Sequence, residues 1–335
     1  MSGRAVLRLG VVGATGALGG ELVGLLEERR FPVGELLPIA TEDSRGAAVE
    51  LRGEAWNVVG PDAPLRGLDL LFLCAPPTVS LELARRALHA EVPCLDLSGA
   101  LAGMPEVPIV VAALGAGVEQ LRAPIVAAPA SPALAWSLAL APLASAAGLE
   151  RVVGTALVTA SAGGRRGIES LSQESIALFN QQDAPEPEVF GRPVAFDCLP
   201  DLGDLDEQGD SPLERALARD LRALIDPDLR VAVTAVRVPT FAGDGATLAV
   251  ETARPLAVDA ARAALEKAPG VQLWDEEAAG PTTRASAGQD DVLVGRLRRD
   301  PSVERGLLLW IAADALRLAA RNGIQLAEAW LAARL

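Results

Sequence analysis

The residues best suited to hold a ligand are three evenly spaced glycines in the run Val11-Val12-Gly13-Ala14-Thr15-Gly16-Ala17-Leu18-Gly19. The apolar run before them reads as a strand and the residues after them as a helix. In that setting the first glycine permits a tight turn and the second lets backbone N–H groups approach a pyrophosphate. The third lets helix and strand pack closely, and the helix N-terminus supplies positive potential. Gly13, Thr15, Gly16, Ala17, Leu18 and Gly19 are therefore the candidate nucleotide-binding residues; a tight turn with no ligand is the plain alternative. A ribose-binding acid is expected about 20 residues on. The loop there reads Ala40-Thr41-Glu42-Asp43-Ser44-Arg45-Gly46. Glu42 or Asp43 would favour a free 2′-hydroxyl, whereas Ser44 and Arg45 could hold a 2′-phosphate. Thr41 and Ser44 join the candidates, and a solvated polar loop is again the alternative.

Other reactive side chains are sparse. The three cysteines, Cys74, Cys94 and Cys198, are scattered and odd in number, with no CxxC pair. That argues against a zinc site and for a reduced, cytoplasmic setting. The single histidine, His89, falls in an early helical pattern and reads as a surface or satisfied helix residue. The formal net charge is −14, which makes nucleic acid and membrane surfaces poor partners. Half of the 335 residues are hydrophobic but only 3% are aromatic and none is Tyr, so Ala, Leu and Val must build the core.

These residues have to be positioned by α/β layers. Strands are expected at 6–12, 35–40, 68–74, 94–97, 109–112 and 124–127, and helices at 17–30 and 79–89. Their alternation predicts a Rossmann-type, doubly wound parallel sheet. The start of the chain, Arg4 and then the first strand, does not read as a signal peptide. Residues 123–149 carry no charge and are long enough to span a bilayer. Pro124, Pro129, Pro132 and Pro142 interrupt them, which predicts a buried strand, a turn and a buried helix instead. Further on, strands at 152–160, 229–238, 246–252 and 291–297 and helices at 167–180 and 211–225 predict a second α+β domain with a mixed, mostly antiparallel sheet. A helix over 311–335 is expected to return to the first domain. The domain limits are then 1–131 with 312–335 for nucleotide binding, and 132–311 for dimerisation and substrate.

At this point the chain resembles the aspartate-semialdehyde dehydrogenase family along its length. The resemblance rests on Gly13-Ala14-Thr15-Gly16, Leu26-Glu27-Glu28-Arg29, Ser161-Ala162-Gly163-Gly164 with Gly167, and Ala195-Phe196-Asp197. It continues through Arg237-Val238-Pro239, Val250-Glu251-Thr252 and Ile324-Gln325-Leu326-Ala327-Glu328. It implies NADP as cofactor, a homodimer formed through the second domain's sheet, and a cysteine that makes a thiohemiacetal with the aldehyde. It also implies a base nearby and cationic anchors for phosphate and carboxylate.

Set against that pattern, the segment that should read Asn-Pro-Asn-Cys reads Ala128-Pro129-Ala130-Ser131. Ser131 thus stands for the nucleophile; its structural alternative is the N-cap of a helix with Pro132 at the first helical position. The resemblance places a base seven residues beyond the substrate arginine. Arg237 is present, and Asp244 stands where the histidine is expected. With an ordinary carboxylate pKa Asp244 is a weak base for a hydroxyl, and a salt bridge or turn cap is its alternative role. Arg237 is either the retained substrate anchor or a brace of the fold through an ion pair. The phosphate-binding arginine corresponds to Ala102 and the orienting glutamine to Val158. Of a Glu-x-x-Lys pair only Glu214 survives. Asn322 matches a position near the nicotinamide, and a glycine pair is replaced by Pro76-Pro77, which removes N–H donors.

The resemblance is closest in kind to the Usg proteins, a subgroup of the family. It implies a member that has kept the fold and lost the catalytic residues, a non-catalytic dimeric scaffold or regulator. Two other readings stay open: a nucleotide- or metabolite-binding sensor, and an oxidoreductase of altered chemistry using Ser131 and Asp244.

Overall fold

The computed structural model describes residues 6–115, 118–200, 202–274 and 280–333. Arg4 and the last two residues of the expected C-terminal helix lie outside them. The chain divides into two compact units, one of residues 1–129 with 319–335 and one of residues 130–318.

The first unit is built on β1 (Leu7–Val12), α1 (Ala17–Glu28), β2 (Val33–Ile39), β3 (Ala48–Leu51), β4 (Glu54–Asn57), β5 (Leu70–Leu73), α2 (Pro77–His89), β6 (Cys94–Asp96) and β7 (Ile125–Ala127). Its main sheet has the order β2-β1-β5-β6-β7, and every pairing is parallel. β5, β6 and β7 are buried at every residue, as parallel strands covered on both faces must be. β3 and β4 pair as a separate hairpin. Its turn residues, Arg52 and Gly53, both have positive φ, the mark of the tight hairpin turn that suits twisted strands. Arg-Gly is a weak signal for that turn, so the local sequence predicts no strand at either side of it.

One expected strand is absent. Residues 109–112 make only a single bridge, Ile109 to Ala127, followed by a short 3-10 turn at Ala112–Leu114. The pairing stops because Asn322 takes the next backbone groups. Its Oδ1 accepts from Ala112 N at 2.9 Å and its Nδ2 donates to Val110 O at 3.3 Å.

The second unit contains α3 (Ser131–Ala147), β8 (Leu149–Val158), α4 (Gly164–Phe179), α5 (Pro212–Leu224), β9 (Arg230–Arg237), β10 (Asp244–Thr252), α6 (Val258–Glu266), β11 (Val271–Leu273), α7 (Thr283–Ser286), β12 (Val292–Arg299) and β13 (Gly306–Ala313). α8 (Ala315–Ala332) begins in this unit, and its residues from 319 onward belong to the first. The sheet order is β11-β12-β13-β10-β8-β9, and three of its five pairings are antiparallel.

α3, the helix expected from the uncharged stretch, is apolar all round and packs against β8, β10, β12 and β13, with α5 and α6 beside it. Among the described residues no helix is long and apolar enough to cross a membrane. Trp136 of α3 is 1% exposed and fits because β8 carries Gly154 opposite it. A Cβ there would come within 2.5 Å of the Trp136 ring.

The C-terminal expectation needs correction at its start. Residues 311–313 are the end of β13, a strand in the middle of the sheet, and the helix begins only at Ala315. The run Leu307-Leu308-Leu309-Trp310-Ile311 is apolar without a period, so pattern alone could not separate strand from helix. Asp314 marks the boundary: its Oδ1 accepts from Leu316 N and Arg317 N at 3.1 Å each.

Candidate functional site

The glycine turn of the first unit is built as nucleotide binding requires. Gly13 has φ +79°, and a Cβ there would lie 2.7 Å from Cys74 O. Gly19 packs α1 onto the turn so closely that a Cβ would lie 2.1 Å from Gly13 O. Gly16, the N-cap of α1, would place a Cβ 3.1 Å from the same oxygen. The N–H groups of Gly13 and Ala14 both donate to Ile39 O, and Gly16 N donates to Gly13 O, so these hold the turn itself. The first turn of α1, with Ala17 and Leu18, has no side-chain cap and no acidic residue. It offers amides and positive potential to an anion. The residues present therefore fit a dinucleotide's pyrophosphate.

Across the turn, Thr15 Oγ1 donates to Ser44 Oγ at 3.4 Å. Thr41 is exposed and precedes the short turn Glu42–Ser44. Arg45 is engaged by Glu42 and Asp62. Asn322 is buried, and its two hydrogen bonds go to Val110 and Ala112, so it acts as a positioning residue for that segment. Pro76 and Pro77 form the N-cap and first residue of α2.

In the second unit Ser131, Val158 and Asp244 line one small pocket together with Trp136, Ala156 and Ile311. The N-cap of α3 is Ala130, with no side-chain capping bond, which corrects the expectation that Ser131 caps the helix. The amide of Ala130 donates instead to Asp220 Oδ2 at 2.8 Å, and Asp220 is fully buried and paired with Arg219 at 2.7 Å. Ser131, the first residue of α3, is among the residues lining the pocket.

Asp244 is the first residue of β10. Its Oδ1 accepts from Thr159 N at 2.9 Å and from Thr159 Oγ1 at 2.8 Å, and Thr159 Oγ1 lies 2.9 Å from Ser161 Oγ. Among the described residues it forms no salt bridge. Loss of solvation, helped by the charge of Asp314, pushes its carboxyl up to about 6, against the pull of Thr159 and Arg237. The expectation of an ordinary carboxylate is therefore wrong here.

Arg237 ends β9 and also grips Thr159, donating from Nη1 to its carbonyl at 3.1 Å. Its guanidinium lies 4.0 Å over the Phe190 ring. Among the described residues it has no carboxylate within ion-pair distance, so it is not a brace through an ion pair. Phe190 fits beneath it because Gly163 and Gly167 lack side chains: a Cβ at either would come within 2.8 Å of the ring. The Ser161-Ala162-Gly163-Gly164 run with Gly167 thus makes the floor for an aromatic plate carrying an arginine.

A family model described as "Semialdehyde dehydrogenase, NAD binding domain" matches residues 8–120. One described as "Semialdehyde dehydrogenase, dimerisation domain" matches residues 140–318. A USG-1 protein homolog of Azotobacter vinelandii is 38% identical, covering 96% of each chain. The chain belongs to the aspartate-semialdehyde dehydrogenase family. An aspartate-semialdehyde dehydrogenase of Aquifex aeolicus is 32% identical, covering 96% of this chain and 97% of its own. The crystal structure of aspartate semialdehyde dehydrogenase II complexed with ASA, from Vibrio cholerae, superposes with a TM-score of 0.93 at 31% identity, covering 99% of each chain.

Neither the three cysteines nor His89 is among the residues lining that pocket. Cys94 is buried in β6, and loss of solvation pushes its thiol up to about 12. Cys74 is raised for the same reason. Both belong to the first unit, whereas the pocket with Ser131 and Asp244 lies in the second. Cys198 is exposed. His89 is the exposed last residue of α2. Ala102 is buried among apolar neighbours. Glu214 is structural: it forms a capping box with Ser211 and accepts from Ala235 N of β9 at 2.7 Å. Among the described residues no cluster could hold a metal ion.

Three residues that hold the sequence-predicted site residues or their neighbours were not found from sequence: Thr159, Phe190 and Asp220. Each acts through a contact with a residue 47 to 90 positions away in the chain (Phe190 with Arg237, Thr159 with Arg237 and Asp244, Asp220 with Ala130). No local pattern signals such a contact.

Proposed function

We propose that this chain is a non-catalytic homodimer of its family, a cytoplasmic scaffold or regulator that keeps a nicotinamide-nucleotide site. The observation that carries this reading is the make-up of the pocket. Ser131, Asp244 and Val158, which the family resemblance sets at the nucleophile, base and orienting positions, meet there. A hydroxyl, a carboxyl and an isopropyl group replace what thioester chemistry needs. A bound nucleotide would be held by the turn from Gly13 to Gly19 and would supply a hydride acceptor. The residues lining this pocket offer no thiol to generate the hydride donor. The dimer is read from the match to a dimerisation domain and would form through the sheet of the second unit.

The test is the family's reaction, with phosphate, semialdehyde and NADP or NAD. No turnover above background is expected; a rate in the ordinary enzyme range, about 1–1,000 per second, overturns the reading. Sedimentation equilibrium checks the dimer: a monomer at micromolar concentration counts against it.

A second reading, altered chemistry, is favoured by one observation. Asp244, with a carboxyl near 6, shares the pocket with the Ser131 hydroxyl. A base of that pKa lies about one pKa unit below the neutral pH at which general-base work would run. An activity lost in both Ser131→Ala and Asp244→Asn would support this reading.

A further inference from the structure

We infer that Glu42, Arg45 and Asp62 form a clamp that makes the nucleotide site prefer a dinucleotide without a 2′-phosphate, NAD over NADP. This rests on the reading of the glycine turn as a working site. The placement follows from the fold. β2 lies beside β1 and its end leads at once into the turn Glu42–Ser44, where sheets of this kind meet the adenine-side ribose. That loop is moored to the glycine turn by the Thr15–Ser44 contact and by the two amides that donate to Ile39 O.

Arg45 is the cation that could meet a 2′-phosphate, and it is already matched. Its Nε lies 2.7 Å from Glu42 Oε2, and its Nη2 lies 2.8 Å from Glu42 Oε1 and 2.6 Å from Asp62 Oδ1. One cation and two carboxylates leave a net charge of −1 at the clamp. The space for this arrangement depends on Gly60, where a Cβ would fall 2.2 Å from Arg45 Nη2 and 2.3 Å from Glu42 Oε1. A 2′-phosphate would bring roughly two negative charges to this cluster. To receive it, Arg45 must leave both partners, and their bare carboxylates then remain as neighbours. A 2′-hydroxyl is neutral and can donate to Glu42 or Asp62, so it costs no such rearrangement.

The experiment is calorimetric titration of the full chain with NAD and with NADP, at low and moderate salt, alongside the double variant Glu42→Gln/Asp62→Asn. All three side chains are on the surface, and circular dichroism confirms that the variant is folded. The wild-type chain is expected to bind NAD about tenfold or more tightly than NADP at low salt, with the gap narrowing as salt screens the charges. The variant is expected to gain NADP affinity and close most of the gap, because Arg45 is released. NADP binding as tight as NAD, or an unchanged ratio in the variant, overturns the selectivity while leaving the nucleotide site standing. Binding of neither nucleotide removes the site itself and this inference with it.

Discussion

Asp244 and Thr159 are joined by two hydrogen bonds to a single oxygen: Asp244 Oδ1 accepts both the amide and the hydroxyl of Thr159, at 2.9 and 2.8 Å. The end of β8 is thereby tied to the start of β10. Arg237 holds the carbonyl of the same threonine. Asp244 is therefore a structural tie, and its ionisation is linked to stability.

The folded carboxyl of Asp244 stands near 6 against an ordinary value of 3.8. The folded state therefore holds its proton more tightly than the unfolded state. The resulting stabilisation is complete below 3.8 and is lost as pH rises through about 6. The loss is on the order of 3 kcal/mol. Asp244→Asn keeps an oxygen for Thr159 and cannot ionise. It is expected to flatten this part of the pH–stability curve and to equal or exceed the wild type in stability at pH 7. Urea unfolding at pH 4, 5.5 and 7 checks it; an identical slope in both proteins would refute the assignment.

Ser131→Cys supplies a thiol but not a reactive one. Asp244 shares its pocket, and Asp220 holds the adjacent amide. Nearby carboxylates disfavour a thiolate. Alkylation of the new cysteine by iodoacetamide at pH 7.5 is expected to be slower than that of a free cysteine, by roughly tenfold for each pKa unit gained. Cys198 is changed to serine beforehand to clear the background. A rate above that of free cysteine would contradict the expectation.

The plate under Arg237 can be broken from its glycines. Gly167→Ala would set a Cβ 2.3 Å from Ala160 O and against the Phe190 ring. A loss of about 1–3 kcal/mol is expected, typical of overpacking, and read from the thermal midpoint. Phe190→Ala removes the ring and the cation–π contact, worth about 1 kcal/mol in itself at a partly exposed site. Together in one chain the two changes are expected to cost less than their sum, because the methyl then meets no ring.

Gly19→Ala tests the nucleotide turn. Its Cβ would fall 2.1 Å from Gly13 O, so α1 must move away from the turn. Loss of any nucleotide binding is expected, with a stability cost of more than about 1 kcal/mol. Gly20→Ala is the control, since a Cβ there meets nothing within 4 Å. Equal binding by both variants would show that the turn does not hold the ligand.

The sequence by itself determined the alternation of strands and helices in the first unit, the glycine turn, and the family resemblance carried by the order and spacing of several short segments along the chain. These signals are local: periodicity, special φ values and short spacings are written in adjacent residues. Only the tertiary structure decided the central place of β13, the end of the pairing at 109–112, and the pocket itself. An apolar run has no period to read, and Asn322 stops a strand more than 200 positions earlier in the chain. The protonation of Asp244 also belongs to the fold. It depends on solvation and on Thr159, Asp314 and Arg237, which the sheet of the second unit brings together and the order of residues does not.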